Sequence, residues 1–261
     1  MNNGICLNSI IPIRSEPSRK AQMTDQLLFG ESFKILEVQG EWYYIERSID
    51  GYGGWITDRH FLEASGELME NIQQAISRIV DQPFARLQWG ESGMWVPGGS
   101  VLPFFDDSTH SFTLDNTHYK LESPEPSGHQ DTRQWVSQAA LQYQNAPYLW
   151  GGKTIMGIDC SGFTQVIYRI CGILLPRDSH QQLNHGRTIG FIKDARPGDL
   201  AFFDNEEGEI VHTGILLGPD RIVHASGRVR IDPIDHQGIY RREERKYSHR
   251  LRVIKNVIDR S

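Results

Sequence analysis

Cys160 lies in Asp159-Cys160-Ser161-Gly162-Phe163, a few residues after Tyr148-Leu149-Trp150-Gly151-Gly152. Two histidines follow, in Val211-His212-Thr213-Gly214-Ile215 and Ile222-Val223-His224-Ala225-Ser226. A thiol becomes a nucleophile once a base can take its proton, and a third polar group that orients the base completes the minimal set for thiol acyl transfer. Cys160, His212 and His224 are residues of those types. From the residues alone two readings of Cys160 stay open, the nucleophile and the small buried hydrophobe that a lone cysteine usually is. Cys171, beside Ile170, Ile173 and Leu174, fits the second reading, and Cys6 has no polar sequence neighbour to activate it.

These groups need elements to hold them. Phe163, Val166, Ile167 and Ile170 recur at helical spacing and predict an amphipathic helix that begins at Cys160. Asp159 is a suitable N-cap, and Gly172 with Pro176 closes the segment. A thiol there lies near unpaired amides and the positive end of the helix dipole, which is expected to lower its pKa. Both histidines lie in strand-like runs. Helices are also expected over 132–141 and near 181–185, and strands around 199–203, 210–217, 221–225 and 247–254. Helices first and strands after give an α+β domain with the cysteine helix on an antiparallel sheet. His180, His185 and His236 lie in other surroundings and are expected on the surface. A zinc site from Cys160, His212 and His224 has no HExxH or CxxC spacing behind it, so neither metal nor cofactor is expected.

The chain of 261 residues allows one large domain or two to three small ones. Hydrophobic content of 38% and charged content of 23% are those of a globular protein. A formal charge of −6 lacks the basic face that nucleic acid would require. Three cysteines make no disulfide framework and favour a reducing compartment. The first residues carry no basic segment followed by an apolar one, and no apolar run is long enough to cross a bilayer. A cytoplasmic location, no membrane partner and a monomer are therefore the expectations.

Upstream, residues 5–64 read as short strands at 10–13, 26–28, 32–38, 41–45 and 54–56, punctuated by Gly30, Gly40 and Gly51. A small all-β barrel follows, since closure protects the edges of so short a sheet. Residues 66–85 are weakly helical, and 86–89, 94–97 and 101–105 suggest a second, diverged barrel, with an irregular linker domain as the alternative because the alternation is poor. Ser123-Pro124-Glu125-Pro126-Ser127-Gly128 reads as a linker. The expected domains are 1–65, 66–123 and 129–261.

Pro12-Ile13-Arg14-Ser15-Glu16-Pro17-Ser18, Leu28-Phe29-Gly30-Glu31, Gly40-Glu41-Trp42-Tyr43 and Asp50-Gly51-Tyr52-Gly53-Gly54-Trp55-Ile56 together resemble a bacterial SH3-like domain. Cys160-Ser161-Gly162-Phe163, Arg196-Pro197-Gly198-Asp199-Leu200-Ala201-Phe202-Phe203, His212-Thr213-Gly214-Ile215 and Ile222-Val223-His224-Ala225-Ser226 resemble the NlpC/P60 family of papain-like cysteine peptidases. That resemblance runs over about residues 130–255, with its motifs in the family's order. It implies Cys160 as nucleophile, His212 as general base and His224 as the orienting residue. It also implies an oxyanion site from the Tyr148 hydroxyl, beside the backbone N–H of Cys160.

Barrel and peptidase in one chain resemble the γ-D-glutamyl-L-diamino acid endopeptidases, in which the first barrel covers part of the cleft and selects a free N-terminal L-Ala. The resemblance implies Glu31 and Tyr52 on the substrate ammonium, and Trp150, Asp159, Ser161, Asp178 and Ser179 around its γ-D-Glu unit. Ser161 and Ser179 would donate to the free α-carboxylate. Plainer roles stay open: Tyr148 as a packing aromatic beside Trp150, Glu31 as an exposed glutamate, Tyr52 as a barrel aromatic, Asp159 as only a cap, and Asp178-Ser179 as only a helix start. The implied partner is a murein peptide, cleaved between γ-D-Glu and meso-diaminopimelate or lysine during cell-wall peptide recycling. The rivals are a secreted hydrolase of intact peptidoglycan, a non-catalytic wall-binding module, and acyltransferase or amidase chemistry on the same thiol.

Overall fold

Strands β1 (Asn2–Cys6), β2 (Ile10–Arg14), β3 (Met23–Leu28), β4 (Ser32–Gln39), β5 (Trp42–Arg47), β6 (Gly53–Ile56) and β7 (Phe61–Ala64) form one antiparallel sheet. Its order is β3-β2-β6-β5-β4-β1-β7. The computed structural model describes residues 2–57, 61–122 and 131–259, in two compact units, Met1–Pro126 and Ser127–Ser261. The linker expected at 123–128 lies outside the described residues. In β2 Ile11 and Ile13 are buried between more exposed neighbours, the period of a half-buried strand. Cys6, Ile11, Ile13, Leu27, Phe33, Ile45 and Ile56, from six different strands, share one core, so the sheet must curl upon itself. Strand β1 went unread because Asn2-Asn3-Gly4 has no β preference; pairing with β4 and β7 makes it a strand.

The same barrel buries a guanidinium. Arg47 lies 2.6 Å from Asp25, 3.7 Å from Glu31 and 2.5 Å from Asp50, and its Nε donates to Asp50 at 2.8 Å. Those carboxylates hold it protonated against the cost of burial. The rest of this unit consists of α1 (Gly66–Gln74), β8 (Ser77–Ile79), β9 (Phe84–Trp89), β10 (Ser92–Pro97), β11 (Val101–Pro103), β12 (Ser111–Leu114) and β13 (Thr117–Glu122). Four of these strands form a sheet in the order β10-β9-β13-β12, and β11 pairs β8. Their core includes Leu87, Val96, Phe112 and Tyr119 and takes in Ile5 of β1 and Phe29 of the turn after β3.

The second unit runs α2 (Thr132–Gln142), β14 (Lys153–Thr154), β15 (Gly157–Ile158), α3 (Cys160–Ile170) and α4 (Ser179–Gln182). Next come β16 (Arg187–Ile189), β17 (Leu200–Asp204), β18 (Ile210–Leu216), β19 (Arg221–Ser226), β20 (Arg228–Pro233), β21 (Gly238–Arg241) and β22 (Lys246–Asn256). The sheet order is β16-β22-β17-β18-β19-β20, with β21 also on β22, and all the pairs are antiparallel. This is the α+β arrangement expected. Helix α3 begins at Cys160 as expected, and its polar face is covered along with its apolar one: all eleven of its residues are buried. The polar ones are satisfied inside, as where Thr164 donates to Gln182 at 2.7 Å and Gln165 to the Leu175 carbonyl at 3.0 Å. Its end is a Schellman motif, with Gly172 at φ +78°, Ile173 N–H on the Tyr168 carbonyl and Gly172 N–H on that of Arg169.

Replacing Arg47 by leucine leaves Asp25 buried without its 2.6 Å partner. The expected loss is about 3–5 kcal/mol, read as a lower urea midpoint. A loss below about 1 kcal/mol would show the cluster to be solvated.

Candidate active site

The start of α3 is fixed by one carboxylate. Asp159 Oδ1 accepts from Gly162 N–H at 2.7 Å, which caps the helix, and Oδ2 accepts from Gly151 N–H at 2.8 Å. Arg177 closes on both oxygens, at 3.1 and 2.5 Å, and also donates to Ser161 Oγ at 2.8 Å. The glycine-rich loop is thereby drawn over the helix N-terminus. It comes so close that a Cβ on Gly162 would lie 2.4 Å from the Gly152 carbonyl oxygen.

Cys160 is 8% exposed. Burial pushes its thiol up to about 11 and Asp159 adds to this, while the Thr213 N–H, Arg177 and the Ser161 N–H pull it back. The expectation that the helix terminus lowers this pKa is thus corrected, because desolvation of a thiolate here outweighs the dipole. The Thr213 amide on the sulfur also places β18 against the start of α3 and brings the residue next to His212 onto Cys160.

His212 Nε2 and His224 Nδ1 lie 2.8 Å apart, and His224 Nε2 lies 2.9 Å from Asp232 Oδ2. Burial pushes Asp232 up, but His224 and Arg230 outweigh it and hold the carboxyl at about 2. Burial pushes both histidines down, His212 further than His224. At neutral pH the row is therefore an ionised carboxylate and two neutral rings, and the tautomers follow. His224 donates Nε2–H to Asp232, its Nδ1 accepts Nε2–H of His212, and the remaining lone pair of His212 is on Nδ1. Beyond Asp232, Arg230 Nη2 donates to Oδ1 at 2.8 Å and pairs with Glu243 at 2.5 Å. His249 stacks on His212 with ring centroids 4.1 Å apart, and it is pushed down to about 4, mainly by burial.

Sequence reading missed Asp232, Arg177 and His249. A signal existed for the first: the β19–β20 hairpin pairs His224 with Arg230 and Ile222 with Asp232. Period two then puts Arg230 and Asp232 on the His224 face. Arg177, a lone arginine in a loop, carries no such signal.

The other expected residues divide by location. Tyr148 is half-buried, and burial, then the charges of Cys160 and Asp159, push its phenol up to about 12, so it stays a donor. Ser161 is buried between Arg177 and Asp159, whereas Ser179 and Asp178 begin α4 half-buried. Trp150 is 58% exposed. Asp159 has both oxygens on internal partners, so the cap is the role its geometry realises. In the first unit Glu31 is buried, not exposed, and accepts from Leu28 N–H at 2.8 Å. Tyr52 lies under the Arg47 guanidinium, 5.7 Å from it, with its hydroxyl 3.5 Å from the Thr24 carbonyl. His180, His185 and His236 are exposed.

Comparison with known proteins gives this chain's relatives. Residues 145–246 match the NlpC/P60 family, and residues 13–61 match the bacterial dipeptidyl-peptidase Sh3 domain. A γ-D-glutamyl-L-lysine dipeptidyl-peptidase of Bacillus cereus is 26% identical over 246 residues, covering 83% of this chain and 72% of that protein. Dipeptidyl-peptidase 6 of Lysinibacillus sphaericus is 29% identical over 269 residues, covering 92% and 95%. The crystal structure of an NlpC/P60 family protein from Bacillus cereus has the same fold, with a TM-score of 0.81 and 19% identity over 98% of this chain and all of that one.

Two outcomes test the geometry. Asp232→Asn offers an amide N–H to His224 Nε2 and reverses the tautomers, so kcat is expected to fall roughly 10²–10⁴-fold, with KM and the circular dichroism spectrum little changed. Because the thiol is raised, alkylation of Cys160 by iodoacetamide in the free protein should climb continuously from pH 7 to 10. A plateau below pH 7 in peptide-mapped rates would show a preformed thiolate instead.

Proposed function

We propose, from the match of residues 145–246 to the NlpC/P60 family and of residues 13–61 to the bacterial dipeptidyl-peptidase Sh3 domain, that this chain is a cysteine peptidase that hydrolyses the γ-D-Glu to diamino-acid bond of murein peptides with a free N-terminal L-Ala. The observation that carries the reading is the row His212–His224–Asp232, which leaves a lone pair on His212 as the thiol's base. In this reading His212 Nδ1 takes the Cys160 proton and the thiolate attacks the γ-carbonyl. The oxyanion is met by the Cys160 backbone N–H and the Tyr148 hydroxyl, which stays protonated. Collapse breaks the C–N bond, and the imidazolium returns its proton to the leaving amine. Water, deprotonated by His212, then hydrolyses the thioester and frees L-Ala-γ-D-Glu.

The amide link to γ-D-Glu and the dipeptide product are supported by the relatives' names, which specify a γ-D-glutamyl bond to lysine and a dipeptidyl-peptidase. Recognition of the free amine is assigned to Glu31 and Tyr52, both on the Arg47 cluster, since a buried carboxylate favours an ammonium over an acylated nitrogen. Ser161 and Ser179 are assigned to the α-carboxylate, with Trp150, Asp159 and Asp178 bordering the γ-D-Glu unit. The setting we assign is cytoplasmic recycling, where short fragments with a free L-Ala are the natural substrates.

Mass spectrometry on L-Ala-γ-D-Glu-diaminopimelate, its lysine counterpart and an N-acetylated twin tests this. Release of L-Ala-D-Glu from the free-amine peptides alone, abolished in Cys160→Ala, is the expected result. Equal cleavage of the acetylated twin would remove the amine assignment and favour a hydrolase of intact wall. Cleavage of none of the peptides would overturn the proposed reaction.

A further inference from the structure

His249 takes no part in the row of hydrogen bonds from His212 to Asp232, yet it lies on it. The ring stands on β22, stacked on His212 at 4.1 Å with 25° between the planes, and 5.7 Å from the His224 ring. One ring nitrogen from each of His212, His224 and His249 lies within 4.8 Å of the other two. We propose that these three histidines form an inhibitory binding site for a borderline divalent cation of the zinc type.

Three features carry this. Zinc takes imidazole nitrogens at about 2.0–2.1 Å, which sets tetrahedral ligand nitrogens about 3.3 Å apart. His212 and His224 already face one another at 2.8 Å, so they need to open only slightly. His249 must turn inward, and it is half-buried rather than packed on every side. Second, metal-binding histidines as a rule have their other ring nitrogen held by a carboxylate or similar partner. His224 has Asp232 at 2.9 Å in that place, and His249 Nδ1 has the Ser248 hydroxyl at 2.8 Å. Third, three nitrogen ligands with the fourth position open form an ordinary zinc set, and imidazole suits this class of ion.

The consequence for the reaction rests on the reading of His212 as the base. A cation bound at His212 Nε2 takes the lone pair of that atom, so the single ring proton must reside on Nδ1. The lone pair that would receive the thiol proton is then gone, and turnover stops without any bond to sulfur. This differs from simple capture of the thiolate, in which Cys160 would be the essential ligand.

Two measurements on the full chain separate these cases. The first is turnover of the free-amine tripeptide against added Zn²⁺, for the wild type and for His249→Phe, which keeps the stacked ring and removes the ligand. The wild type should be inhibited reversibly, with activity restored by chelator. The variant should retain its basal rate and need at least the roughly 10–100-fold more zinc that loss of an outer partner costs at such sites. The second is the visible spectrum of Co²⁺ added to Cys160→Ala, where intense tetrahedral d–d bands without thiolate charge transfer are expected, weakened when His249→Phe is added. Equal zinc sensitivity of the two proteins in the first assay, or no cobalt binding in the second, overturns the site. If the wild type cleaves no peptide at all, the base reading fails while the cobalt spectrum still decides the cation site.

Discussion

A carboxylate buried at the root of α3 is the constraint on which the peptidase unit depends. Asp159 alone in that place would cost several kcal/mol. Gly162, Gly151 and Arg177 offset the cost by filling both its oxygens. In return the carboxylate fixes three things together: where the helix begins, how the loop from Gly151 lies over it, and that the first helical residue is Cys160. The same negative charge, beside a desolvated sulfur, opposes the thiolate. Position and reactivity therefore pull in opposite directions at one residue.

The sheet supplies what the helix withholds. A thiol held neutral needs a base with a free lone pair, and the tautomer of that base is decided two rings away. Asp232 is ionised because His224 and Arg230 outweigh its burial, and it orients His224, which in turn orients His212. Each member stands on a strand, β18, β19 or β20, whose register is locked by backbone pairing. Rigid strands suit such a row because a shift of an ångström would break its hydrogen bonds. The chain of charge continues through Arg230 to Glu243, so the buried Asp232 carboxylate is balanced by a guanidinium while both rings stay neutral.

A comparable solution appears in the first unit, where Arg47 is buried against Asp25, Glu31 and Asp50. The cluster ties β3, the turn after it and the end of β5 together inside a barrel otherwise held by apolar side chains. It places Glu31 where a plain reading would not have put a charged residue, inside the protein. Tyr52 lies under the same guanidinium, so two residues far apart in sequence share one electrostatic environment.

The cap at Asp159, the helix from Cys160, the stop at Gly172 and the strands around His212 and His224 follow from local chemistry: capping geometry, helical spacing and apolar alternation all act within a few residues. Strand β1 was invisible because its identity comes from its pairing partners, and the burial of α3's polar face was beyond local reading because α2, β14, β18 and β19 all pack on that helix. Arg177 and His249 could not be found, since nothing local distinguishes a loop arginine or a strand histidine until the fold brings it to Asp159 or His212. The direction of the Cys160 shift was likewise beyond local reading. A helix dipole is a property of the segment, whereas desolvation is set by everything packed around it. The sequence by itself determined which groups can do the chemistry and which elements hold them. The tertiary structure decided their protonation, their tautomers and their supporting charges, because burial and long-range pairing exist only once the chain is folded.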